Sequence, residues 1–511
     1  MRNERKSISL LGWIIGALLL IYLGVFCYLN LCKYAQHVDS DIAAEALLAR
    51  EIWVEKDITP NDWISSTERR IIGMPTVAAV FYGITGSMQT AAGITCVLLG
   101  AILLGIFYFF LRKLSLSRPA SITALLVLCA LPINGFRNEG QMVPFVALLL
   151  FLFAEYYVFH GIFLFFNILF YLKLKENRQM TRKTFLEWLV LFVAAVLLNC
   201  GGQRCLQVII LPLLVVEVIA LFMESGHLRQ KLPGGRYLAT AYVGSLVLAF
   251  LVSCLYGGRG DYAVYLLQPG EAVEKLLVGV PAALLENFGL VGNAKVGSFA
   301  SLMQLLVWVF LILLGYGLWY VFRKNTESTD RQKDALTILL ASVGATAFII
   351  GITSAEAAHY YFFMAWFAAA VLVAVMVDHM SEGQPVFAGL ILMAVVLFAV
   401  LNLKYTYYEA ATTQDNLKEY QEVADYLTEA GIDYGYAEFW DAERICLITD
   451  GPRRCPRKCG PLTSYGQKCV KPLNSNFRKG KHRYWNMRMK SWQYMSVTEI
   501  MWNYKIKMRE H

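Results

Sequence analysis

The stretch "HVDSD" at residues 37–41 places two carboxylates, Asp39 and Asp41, at spacing two directly after the first long apolar run. Carboxylates in such a place can take up a proton or hold a cation. They can also cap a helix, because the positive end of the helix dipole favours negative charge. In "DSDIAAEALLAREIWVEKDI" the apolar residues Ile42, Ala46, Leu47, Ala49 and Ile52 recur at helical spacing and predict an amphipathic helix starting here. Capping alone accounts for one aspartate; a second at spacing two, under a long loop, points further. Glu68 in "STERR" opens a second short helix, with Arg69 beside it as an equally good solvated partner. Groups suited to an anion are Arg204 in "NCGGQRCLQ" and His359 with Tyr360 in "EAAHYYFFMAWF". Arg204 interrupts an apolar stretch, so it either meets an anion or snorkels to headgroups. Tyr360 and its neighbours equally suit an interfacial aromatic belt. Arg137 and Glu139 in "NGFRNEG", and Arg259 and Asp261 in "GGRGDY", weigh less.

The elements that must position these residues are membrane helices. Of 511 residues, 57% are hydrophobic and only 16% charged, where a soluble chain carries about a quarter. Apolar runs of roughly 20 residues, enough for a helix to cross a bilayer, recur along the chain. They fall near 10–30, 89–111, 119–134, 143–171, 184–199, 205–223, 237–256, 302–322, 335–353, 360–377 and 386–403. This predicts an all-α polytopic membrane protein of about 11 spans over residues 1–403, with a large first loop at 31–88. Residues 143–171 are too long for one straight crossing and read as a single tilted or kinked span, with "FHG" at 159–161 marking a break. Residues 74–86 are too short to span and read as interfacial or re-entrant.

Charge sets the expected orientation. "MRNERK" before the first run marks a retained signal anchor with its start in the cytoplasm. The basic loops 111–118, 172–183, 224–236 and 323–334 then share the cytoplasmic side. That assignment puts "DSD", "NCGGQRC" and "TSAEAAHYY" on the other side together, although none was used to make it. The eleven cysteines include no CxxC pair; Cys27, Cys96, Cys129 and Cys254 lie in apolar runs as small hydrophobes. Cys200 and Cys205 flank a short loop, and Cys455, Cys459 and Cys469 are too loosely spaced to specify a metal or a disulfide.

A first extracytoplasmic loop with an acidic pair followed by "AREI", "TP", "W" and "STE" resembles the membrane-embedded glycosyltransferases of the C superfamily, which include aminoarabinose transferases and protein O-mannosyltransferases. The resemblance covers residues 1 to about 450. Aligning the family's Arg-Glu pair on Arg50-Glu51 implies Asp41 as the catalytic carboxylate, and the superfamily's modified Asp-x-Asp pattern adds Asp39. It implies transfer, with inversion, of a sugar from a polyprenyl-phosphate donor to a glycan, lipid or protein acceptor outside the cytoplasm of a bacterium. Asp41 would serve as base, or both aspartates would hold a divalent cation such as Mg, Mn or Zn. Glu68 would line the acceptor side, while Arg204, His359 and Tyr360 would meet the donor. Relatives carry Arg-Tyr or His-Arg-Tyr where this chain has His-Tyr-Tyr, which leaves the role of His359 open. No G-x-G-x-x-G loop on a strand–helix unit occurs, which disfavours a nucleotide-sugar donor. The rival class is a transporter or flippase, which places charged residues within broken helices.

From Lys404 the chain turns polar. "DNLKEYQEVADYLTEAG" predicts an amphipathic helix and "IDYGYAEFWDAERICLITDG" alternates like strands, the start of a small extracytoplasmic α/β segment over 404–450. Residues 451–511 hold 15 basic and 2 acidic side chains, whereas the first 450 residues hold 31 basic and 36 acidic ones. The overall charge of +8 therefore belongs to the tail and gives no ground for a nucleic-acid partner. The tail lacks periodicity; it reads as an unrelated extension after a truncated appendage, or as a basic arm for anionic lipid or polysaccharide.

Overall fold

The computed structural model describes residues 2–60, 63, 71–130, 145–176, 181–200, 204–223, 242–252, 264–290, 295–323, 328–412, 418–429, 435–448 and 467–470. The expected Glu68, Arg69, Arg137, Glu139, Arg259 and Asp261 lie outside them, as does the tail apart from 467–470. The chain forms two compact units. The larger comprises Met1–Cys32, Ser65–Met74 and Ile94–Thr412, and the smaller comprises Lys33–Ile64, Pro75–Gly93 and Thr413–His511.

Helix dominates, as the apolar pattern requires. Among the described residues, seven helices are long and apolar enough to cross a membrane: Leu11–Cys32, Met88–Lys113, Val158–Glu176, Ser301–Phe322, Asp330–Ile352, His359–Met380 and Pro385–Asn402. The other expected spans coincide with shorter apolar helices, Arg118–Cys129, Leu206–Ile219 and Tyr242–Val252, and with Arg182–Asn199, whose first turns hold Arg182, Lys183 and Glu187.

The larger unit is built around His359–Met380, of whose apolar window 89% is buried by protein. Phe367 on this helix lies 6.0 Å from Phe107 and 4.8 Å from Phe165, ring centre to ring centre. Gly161 faces the same ring, and a Cβ there would come 3.1 Å from Phe367. The glycine of "FHG" is thus a packing residue inside Val158–Glu176. The break in the expected 143–171 span falls earlier, between the short helix Phe145–Leu150 and Val158. Asn30 pins that break: its side chain donates to Phe151 O at 2.9 Å and accepts from Phe153 N at 2.9 Å.

One set of helix ends is joined by polar contacts. Lys175 pairs with Asp334 at 2.7 Å, Arg331 pairs with Glu176, and Arg331 donates to Lys113 O at 3.3 Å. Gln332 donates to Leu114 O at 3.1 Å, and Ser117 N donates to the Asp378 carboxylate at 3.0 Å. Helix ends at three of the basic loops grouped by charge alone, 111–118, 172–183 and 323–334, thus lie together; the fourth, 224–236, lies outside the described residues. The exposed ion pairs among them stabilise little individually; their value here is positional.

In the smaller unit, Ser40–Glu55 is the amphipathic helix that the spacing predicts, and Ile42, Ala46, Leu47, Ala49 and Ile52 are all buried. Lys418–Glu429 is the second predicted helix. The region read as strands is mostly helix instead: Gly435–Glu438 is a strand, paired antiparallel with Gln467–Val470, and Phe439–Ile448 is helical. Short apolar runs do not separate the two states by periodicity, and here Phe439–Ile448 packs against Ser40–Glu55 and buries Ile445, Cys446 and Leu447.

Met74–Thr85, within the stretch 74–86 read as too short to span, is a 12-residue helix. Its Gly83 lies against the indole of Trp53, so closely that an added Cβ would overlap the ring. Lys56, in the left-handed region at φ 56°, covers the same ring with its ammonium 3.3 Å from the ring centre. Gly83→Ala is expected to lower stability by about 1–3 kcal/mol, the usual cost of overpacking. Thermal unfolding of the detergent-solubilised chain measures it; an unchanged midpoint would show that the indole moves aside freely.

Candidate functional site

The structure describes two sets of candidate residues, one in each unit.

In the smaller unit, Asp39 is the N-cap of Ser40–Glu55, and its Oδ1 accepts from Ile42 N at 2.8 Å. Capping, the plainer expectation, is therefore satisfied at Asp39, while Asp41 lies in the first turn. Burial pushes the Asp39 carboxyl above the usual range; the Ile42 amide, the Arg444 charge and the Asp41 amide pull it back in part. Arg444 comes from Phe439–Ile448 and also bonds to Tyr420 Oη at 3.1 Å. At the far end of the aspartate helix, Arg50 and Glu51 form a buried ion pair of 2.8 Å, with a second contact from Arg50 Nε at 3.2 Å.

The fit of a divalent cation to the aspartates can be judged from their donors. One oxygen of Asp39 is committed to the helix cap, and no three His, Cys, Asp or Glu side chains gather as a ligand set among the described residues. Two carboxylates would supply only part of such an ion's shell, the rest coming from water and substrate phosphate.

In the larger unit, Arg204 opens the helical segment that continues through Leu206–Ile219. It does not snorkel: the residue is 8% exposed. Its guanidinium lies 4.1 Å from the Tyr361 ring centre and 5.0 Å from that of Tyr157, and Nη1 donates to Gln207 Oε1 at 3.0 Å. Tyr157 is held in turn by stacking on Phe363 at 5.2 Å. Planar rings and the Gln207 amide thus orient the cation.

His359 and Tyr360 belong to the same cluster. Tyr361 packs on Tyr360 at 4.5 Å, and Tyr360 on His359 at 5.5 Å. His359 Nδ1 lies 3.4 Å from Glu286 Oε1. Glu286 comes from Val280–Asn287, which buries Val280 and Ala283 against Ile350 and Phe362. Next to it in the chain, Asn287 donates to Phe362 O at 3.3 Å and accepts from Trp366 Nε1 at 3.1 Å. The preceding turn is tied down by Lys275, whose ammonium donates to Thr353 O at 2.8 Å and to Ala355 O. Burial holds the Lys275 pKa below its ordinary value, offset in part by the Glu356 charge. Arg204, His359 and Tyr360, chosen separately from the sequence, therefore share one cluster; Tyr157, Tyr361 and Glu286 complete it. The glycine pair before Arg204 hinted at its place, but nothing in local spacing marks Tyr157 or Glu286.

No protein-family model matches this chain, and no curated protein matches it.

Proposed function

We propose that the chain is an inverting glycosyltransferase that moves a sugar from a polyprenyl-phosphate-linked donor to a hydroxyl or amide acceptor outside the cytoplasm. The observation that supports it most is the buried Arg204, held by Tyr157, Tyr361 and Gln207 beside the His359–Glu286 pair. A fixed cation in a low-dielectric setting is what a departing lipid phosphate needs as its charge develops. The new bond forms between the acceptor oxygen or nitrogen and the anomeric carbon, the bond from that carbon to phosphate breaks, and the acceptor proton passes to a carboxylate. Asp41 is assigned that role by the resemblance, with Asp39 holding the helix that presents it; Glu68 is assigned to the acceptor side.

The setting proposed is the cytoplasmic membrane of a bacterium. Eleven spans, a cytoplasmic N-terminus and a small extracytoplasmic α/β segment after residue 403 complete it, by the charge of the loops. Sugar transfer from a radiolabelled polyprenyl-phosphate-sugar pool, in membranes expressing the chain, tests the reading. Asp41→Asn is expected to lose about 100-fold or more, the size of a general-base contribution. Asp39→Asn keeps a capping side chain and is expected to retain most transfer. Equal transfer by wild type and Asp41→Asn would reduce the "DSD" stretch to a helix cap.

One observation favours a second reading, a transporter or flippase. The helix broken between Leu150 and Val158 holds a buried acid, Glu155, at the break, an arrangement transporters use at their binding sites. Absence of transfer by the wild type across varied donors, with substrate movement across sealed vesicles, would favour it.

A further inference from the structure

Glu155 belongs to neither of the sets above. It is 1% exposed, and neither carboxyl oxygen has a hydrogen-bond partner among the described residues. The polar group that reaches it is the Gly100 backbone amide, already committed to the ladder of Met88–Lys113. A Cβ on Gly100 would meet Glu155 Oε1 at 3.2 Å, so the carboxyl lies flat against the one residue of that helix turn without a side chain. The backbone is unusual as well: Phe153 and Glu155 have φ of 53° and 46°, where residues other than glycine are strained. The break is nonetheless firmly held. Asn30 bonds to Phe151 and Phe153, and Glu155 N and Tyr157 N donate to Leu148 O and Leu149 O at 2.8 and 2.9 Å.

We propose that Glu155 is a proton-binding site in the interior of the larger unit, a carboxylic acid that keeps its proton at neutral pH. An ionised carboxylate without a partner in such surroundings is too costly to persist, so the acid takes the neutral form. Among the described residues, the titratable and charged groups around it do not supply a counter-charge. Its own segment offers Tyr156, Tyr157 and His160; Met88–Lys113 offers Cys96, one turn before Gly100; Leu11–Cys32 contributes the neutral Asn30. Arg204 lies 5.0 Å from the Tyr157 ring centre, and the influences on the Glu155 carboxyl are its burial and the Gly100 amide. Loss of the proton would draw 151–157 towards water and take Tyr157 from beneath Arg204. The site thereby links proton occupancy to the geometry of the cationic cluster, whichever substrate that cluster serves.

Dicyclohexylcarbodiimide, an apolar reagent that adds to neutral carboxylic acids, tests this in membranes holding the full chain. Exposed carboxyls are first blocked with a water-soluble carbodiimide and an amine, and the adduct at Glu155 is then read by peptide mass spectrometry. Labelling at pH 7 is expected within about twofold of that at pH 5, where a carboxyl of ordinary acidity would drop roughly 100-fold. Glu155→Gln, which keeps the shape, is expected to remove the adduct from this peptide. A steep fall in labelling between pH 5 and 7, or its suppression by sodium ions at pH 7, would overturn the proposal in favour of an ionised carboxylate or a cation site. An adduct that persists on the same peptide in Glu155→Gln would overturn it too.

Discussion

Arg204→Ala is expected to lower the proposed sugar transfer by about 100- to 1,000-fold, the loss seen when a fixed donor to developing negative charge is removed. The expectation rests on how the guanidinium is held. It is buried, faces two phenol rings and is oriented by Gln207. Arg204→Lys keeps the charge but loses the planar fork and its fit against the rings, so it is expected to recover less than a tenth of the activity. Tyr361→Phe retains the ring face and stays near wild type, whereas Tyr361→Ala frees the guanidinium and falls towards Arg204→Ala. Transfer is measured at matched protein abundance, with the polyprenyl-phosphate-sugar concentration varied. If the cluster meets the phosphate only as it departs, the loss lies in kcat; if it binds the donor beforehand, KM rises as well. Full activity in Arg204→Ala would remove the donor role from this cluster and make the rings a structural clasp.

What the sequence made legible, and what it hid, follows from the range of the forces involved. The aspartate helix was legible because capping and amphipathic spacing are local: Asp39 bonds three residues on, and the apolar stripe is the buried face. The gathering of helix ends at three of the four basic loops was legible because charge collects at helix ends. The break in the 143–171 span was legible from its length, but its place was hidden. "FLFAEYYVFH" has no proline or glycine, and its bend is imposed by Asn30, some 120 residues away in the chain. The lone acid in that apolar run was the one visible signal. Arg204 and His359 could each be suspected from charge at a boundary, but their shared neighbour Tyr361 is a product of packing between helices. The helix Phe439–Ile448 was misread for the same reason, since contact with Ser40–Glu55 decided its state.

The buried pair Arg50–Glu51 supplies the largest expected effect on stability. Its side chains are 6% and 10% exposed, with nitrogen and oxygen 2.8 Å apart. Two charges removed from water are held together by their mutual attraction, and deleting Arg50 strands the Glu51 carboxylate. Arg50→Met is expected to cost about 3–5 kcal/mol, and Glu51→Leu less. The double variant Arg50→Met/Glu51→Leu leaves no stranded partner within the pair, and it is expected to cost far less than the two single changes added together. Denaturation midpoints of the detergent-solubilised chain, for all four combinations, give the coupling directly. The same four proteins separate two reasons for the "RE" sequence on which the family resemblance is anchored. If the pair only holds the aspartate helix to its neighbours, the double variant transfers sugar nearly as well as wild type. If the pair also shapes the ground around Asp41, the double variant is stable and inactive, and stability and activity part company at these two residues.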